Sequence, residues 1–125
     1  MAITNHERVG KALDLLKGGL GPFVERELKN VYKEKALAEA QRFITSERLD
    51  AKKPFASWDA AVQLKLMWAA WNDVFRHTLG KAERSLVQEL TDVRNKWAHQ
   101  EPFSGDDADR ALDSMTRLLL SLIHI

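Results

Sequence analysis

A chain of 125 residues, 45% of them hydrophobic, is the size of one domain built round one core, and a second domain is not expected. Nineteen basic against eighteen acidic side chains leave a formal net charge of +1, which excludes the excess positive charge of a non-specific nucleic-acid binder, so any RNA contact must be local. With no cysteine the chain has neither disulfides nor thiolate metal sites. Met1 to Arg8 lack the pattern of a signal peptide and no apolar stretch reaches across a bilayer, so the expected location is the cytoplasm, without membrane contact.

Helical spacing recurs in every long segment and strand-type alternation is absent, which predicts an all-α fold, an antiparallel bundle of four to five helices. Val9, Leu13, Leu16 and Leu20 form a first stripe, predicted to end at the glycines of the 18–21 segment, with Pro22 in the first turn of a second helix. Val24, Leu28 and Val31 carry that helix toward Leu37, Phe43 and Ile44, and Ser46 to Phe55 reads as a loop. Ser57 is the expected cap of a third helix, whose positions Ala61, Leu64, Trp68, Trp71 and Phe75 continue to Leu79 and stop at Gly80. Leu86, Leu90, Val93 and Trp97 form the fourth stripe. Beyond Pro102, Ser104 is the expected cap of a fifth helix carrying Ala108, Ala111, Leu112, Met115, Leu118 and Leu119. The apolar run from Leu118 to Ile125 ends without a cap, which points to a piece of a longer protein. No repeat, low-complexity tract or phosphate-binding glycine loop is present, and the glycine cluster reads as a turn.

The segment with chemical content is Arg94-Asn95-Lys96-Trp97-Ala98-His99. On a helix centred on Leu90, Arg94 lies at about +40°, inside the apolar arc, where it must snorkel, pair with a carboxylate from another helix or line an interface. Five residues on, His99 would project about 140° away on an ideal helix, so either the helix ends near Trp97 or the two side chains serve different sites. Pro102 and its effect on Glu101 favour a turn near His99. An arginine and a histidine beside a loop suit RNA cleavage, in which the 2′-hydroxyl is the nucleophile. His99 would move a proton, Arg94 would stabilise the phosphorane-like transition state, and Asn95 would orient phosphate or ribose. Lys96 and Asp73 are further candidates for contact with substrate. Trp97, at about −20°, is a core position rather than a stacking platform. Taken alone, the segment is better read as a capping histidine and a structural salt bridge.

Arg94, Asn95 and His99, with four residues between the arginine and the histidine, match the hallmark of the HEPN superfamily, and the surrounding wording narrows the likeness. Gly21-Pro22-Phe23-Val24-Glu25, Trp71-Asn72-Asp73-Val74-Phe75 and Val93 to Gln100 resemble the Swt1-like branch, named for a nuclear endonuclease of transcript quality control. The resemblance implies a metal-independent endoribonuclease that needs no cofactor, leaves a cyclic phosphate and works as a homodimer with both motifs facing one cleft. Some members of the branch sit in bacterial conflict and defence systems, and some HEPN domains are inactive binding modules. The alternative is therefore a non-catalytic helical module that dimerises or binds RNA or protein.

Other features read more plainly. Asp73 and His77 are a solvated pair, although Asp73 is also a candidate to orient Arg94 or His99. His6 and His124 have no partner at metal-ligand spacing, so no metal site is expected. Asp106, Asp107 and Asp109 favour the start of the last helix, and Lys52 and Lys53 could touch a phosphate backbone, although surface lysines usually touch only water.

Overall fold

The side-chain oxygen of Thr4 accepts the Glu7 N–H at 3.0 Å, and from this cap α1 (Asn5–Tyr32) runs unbroken for 28 residues. The structure, a computed structural model, describes residues 3–50 and 52–123. The glycine cluster therefore does not end the first helix, and Pro22 lies inside it. An interior proline costs about 3 kcal/mol and each glycine about 1. Against that, Leu16, Leu20, Phe23, Val24 and Leu28 continue one buried stripe through the cluster, at about 1.5–3 kcal/mol per side chain. Burial outweighs local propensity. Gly19 also serves packing, because a Cβ there would stand 2.5 Å from Leu119 Cδ2.

The second expected helix is divided. α1 stops at Tyr32, Lys33 adopts φ 55°, a 3₁₀ turn covers Lys33–Lys35, and α2 is the short helix Ala36–Phe43. Gln41 then organises the predicted loop: its amide donates to the carbonyls of Ile44 (2.7 Å) and Glu47 (2.9 Å) and accepts the Leu49 N–H at 2.7 Å.

α3 is also shorter than its apolar spacing suggests, running Ala60–Ala69. Asp59, not Ser57, caps it by accepting the Ala61 N–H at 2.8 Å, while the Ser57 hydroxyl donates to the Pro54 carbonyl. Beyond Ala69 the chain turns into a 3₁₀ segment, Phe75–His77, with Trp71, Val74 and Phe75 still buried. The run was apolar because turns, not one long helix, feed the core. Trp68, expected in the apolar stripe, is 41% exposed.

α4 (Lys81–Ala98) buries Val87 and Leu90, with Leu86, Val93 and Trp97 packed at the core margin. In α5 (Gly105–Ile123) the Ser104 hydroxyl accepts the Asp107 N–H at 3.0 Å, the cap expected there. Leu118 is buried and Ile123 exposed, while His124 and Ile125 lie outside the described residues. Opposite Arg84 stands Trp68 and opposite Arg94 stands Asp59, so α3 and α4 are antiparallel. Arg8 pairs with Asp109 and Gly19 meets Leu119, so α5 returns parallel to α1. Among the described residues there is no strand, and the fold is an all-α bundle. No helix among them is long and apolar enough to cross a membrane.

Candidate functional site

The last turn of α4 is fixed by its own backbone. His99 is the residue that closes the helix (φ −87°, ψ 6°) and Gln100 takes the left-handed conformation at φ 57°. The Glu101 N–H then reaches back to the Lys96 carbonyl at 3.0 Å and the Gln100 N–H to the Trp97 carbonyl at 3.1 Å. This is a Schellman ending with glutamine where glycine is usual. The chain turns at His99 as its sequence suggests, but helical geometry persists through Ala98. Arg94 and His99 consequently diverge by about 140° around the axis.

Arg94 is half-buried, with 25% of its side chain exposed, and its Nη2 lies 3.3 Å from Oδ2 of the exposed Asp59. The carboxylate thus comes from the cap of α3. It was visible in the sequence as an acidic residue before an apolar helix, whose antiparallel packing sets it beside the end of α4. Asp73, the residue proposed to orient Arg94, is elsewhere: it sits in the turn after α3, close enough to Tyr32 to help burial push the phenol pKa up. With the third helix cut short, Asp73 and His77 are not one helical turn apart, and no ion pair joins them among the described residues.

Two hollows meet at Arg94. A groove of about 530 Å³ between α3 and α4 is lined by Lys65, Trp68, Asp92, Arg94 and Asn95, and a smaller one of about 270 Å³ by Gly10, Asp14, Lys17, Asp59 and Trp97. Asn95 is exposed in the larger groove. Lys96 points to the other side of the helix, where its ammonium lies 3.4 Å from Asp107 and 4.9 Å from the Phe103 ring centre. The Ser104 N–H first, then its hydroxyl and Lys96, hold the Asp107 carboxyl below the usual carboxylate range. His99 is exposed and borders neither hollow. Within one chain, then, Arg94 and Asn95 share a groove, and Lys96, His99 and Asp73 lie apart from it.

No pattern along the chain points to His6, which lies against the motif. Its imidazole stacks on the Trp97 indole, 5.3 Å between ring centres and 11° between planes. Nε2 lies 3.0 Å from the Trp97 carbonyl, which can only accept, so Nε2 carries the proton, and the Trp97 indole N–H donates to the His6 carbonyl at 3.2 Å. Asn5 adds a bond to the Phe103 carbonyl at 3.1 Å. The first turn of α1 thus holds the chain on both sides of the His99 turn. Gly10 makes room for it, since a Cβ there would stand 2.8 Å from Trp97 Nε1. Among the described residues, no three His, Cys, Asp or Glu side chains gather as a metal site would require.

An all-α bundle whose penultimate helix ends in an arginine with a polar neighbour, and a histidine separated from that arginine by four residues, has the form of a HEPN-type domain. The profile described as Swt1-like HEPN matches residues 11–123, and the chain belongs to that family. Searches of curated proteins and of solved structures find no match. The family match begins after His6 and Gly10, the two residues that seat Trp97.

Proposed function

We propose that this protein is a metal-independent endoribonuclease that acts as a homodimer. The observation that carries the reading is the state of Arg94, a half-buried guanidinium on a groove wall that spends one nitrogen on a long contact to an exposed carboxylate. Its remaining N–H groups, with the Asn95 amide alongside, suit the oxygens of a phosphate. In the reaction a base takes the 2′-hydroxyl proton, the 2′-oxygen bonds to the adjacent phosphorus, the bond from phosphorus to the 5′-oxygen breaks, and an acid protonates that oxygen. A cyclic phosphate remains. His99 serves as base or acid, and Arg94 stabilises the charge gathering on the phosphorane. Because the two side chains diverge within one chain, a second copy must supply the missing half of each site.

The test is incubation of RNA with the purified protein in chelator, beside Arg94→Ala and His99→Ala. The expected result is cleavage with 2′,3′-cyclic ends, reduced about 100-fold or more in each variant. Intact RNA with the wild type, or cutting by both variants at the wild-type rate, overturns the reading. A role in bacterial defence adds that expression arrests growth and that His99→Ala relieves the arrest. The divergence of Arg94 and His99 also favours a second reading, a non-catalytic module. That reading expects a stable dimer or complex which Arg94→Ala weakens while RNA stays whole.

A further inference from the structure

The groove between α3 and α4 holds more than the motif requires. Trp68 stands on its rim at 41% exposure, although Trp58 and Trp71 are buried. Exposing an indole forfeits the burial that three- and four-residue spacing would have given it, and leaves a large amphipathic ring able to stack on a ligand. The Arg84 guanidinium lies 4.7 Å from the Trp68 ring centre. The guanidinium lies over the ring and, with Lys81, lines a second hollow that shares Trp68 and Gln88 with the groove, so the exposed part of the indole borders both. Lys65, anchored to the Ser46 hydroxyl at 3.0 Å, lies in the groove between Trp68 and Arg94.

We propose that a single strand of RNA lies along this groove, with one base stacked on Trp68 and its backbone passing Lys65 toward Arg94 and Asn95. The inference rests on the ribonuclease reading for the direction of the strand, but not for its binding. Two carboxylates, Glu47 and Asp92, line the groove against Lys65 and Arg94, while Lys81 and Arg84 line the neighbouring hollow. The groove's own charges therefore balance, in keeping with the near-neutral chain. Stacking suits this balance, since it draws on the π-face that every base has and needs few phosphate contacts. Arg84 and Arg94 are ten residues apart on α4, about 15 Å along the axis, which is about four stacked nucleotides at roughly 3.4 Å each. A duplex presents no free base face to the indole, so the strand must be single.

The test uses a fluorescein-labelled single-stranded RNA decamer with every 2′-hydroxyl methylated, so that it cannot be cut, and reads anisotropy against the full chain. Trp68→Ala should weaken binding about 5- to 100-fold, Trp68→Phe should keep most of it, and Lys65→Ala should lower the salt dependence by about one phosphate contact. Shortening the RNA below about four nucleotides should abolish the difference between wild type and Trp68→Ala. Equal affinity of wild type and Trp68→Ala for the decamer overturns the proposal. So does a Trp68→Ala variant that loses its self-association or a protein complex while binding RNA unchanged, which would make the groove a protein interface. The two readings fail separately. Trp68-dependent binding with cleavable RNA left whole sinks the ribonuclease and keeps the strand path, whereas cutting at unchanged kcat and KM by Trp68→Ala does the reverse.

Discussion

The two long faces of α4 use charge differently. Toward α5, Glu89 accepts from Arg110 and from the buried Ser114 hydroxyl at 2.9 Å, and Lys96 lies on Phe103 beside Asp107. Arg110 first, aided by Ser114, holds the Glu89 carboxyl below its ordinary range against the opposing effect of burial. Toward α3, by contrast, the only ion pair among the described residues that Arg94 makes is a 3.3 Å contact to an exposed aspartate, and Asn95 opens into a groove. One face spends its polar groups on holding the bundle together, whereas on the other Arg94 and Asn95 are only loosely engaged within the chain. The proposed function draws on that second face.

Substitutions at four positions test that contrast. The largest effect on stability is expected from Gly10→Val, which crowds a rigid indole at a 2.8 Å approach and should cost about 1–3 kcal/mol, read as a lower midpoint in urea. A variant as stable as wild type would mean that Trp97 is not seated there. On the packed face, Glu89→Ala leaves the Ser114 hydroxyl without its acceptor and should cost about 1–2 kcal/mol. The sign of its pH dependence follows from the lowered carboxyl: the stabilisation is present above the unfolded value near 4.5 and is lost as pH falls through the lower folded one. Wild type should therefore lose stability in acid faster than Glu89→Gln, and parallel acid limbs in thermal melts would remove Glu89 from that role. Gln100→Gly, at φ 57°, should raise stability by about 0.5–1 kcal/mol, and a destabilised variant would contradict the left-handed turn. Smallest of all, Arg94→Ala should move stability by only about 0.5 kcal/mol. A loss as large as that of Glu89→Ala would show that Arg94 belongs to the framework after all.

The sequence made some of this legible and concealed the rest for identifiable reasons. The all-α class, the loop after Ser46, the Ser104 cap and the turn at His99 rest on local signals, namely period, capping hydroxyl and proline, and local signals survive folding. The run through Gly18, Gly19 and Pro22 misled because the stripe that overrides them is worth more than the breakers cost, a sum that requires knowing what is buried. Trp68 misled in the opposite direction, as spacing assigns a face but cannot say whether a neighbour covers it. Asp59 was a cap in waiting, and only the antiparallel packing of α3 and α4 gave it Arg94. His6 lies 91 residues from Trp97, beyond the reach of any pattern along the chain.

The stack of His6 on Trp97 also gives the molecule a built-in optical reporter. A charged imidazolium quenches a neighbouring indole more strongly than a neutral ring does, and a departed imidazole does not quench at all. With Trp58, Trp68 and Trp71 replaced by phenylalanine, the remaining emission would come from the residue two positions before His99. Its intensity would follow, in real time and without a label, whether the first turn of α1 stays docked against the end of α4 when RNA is added.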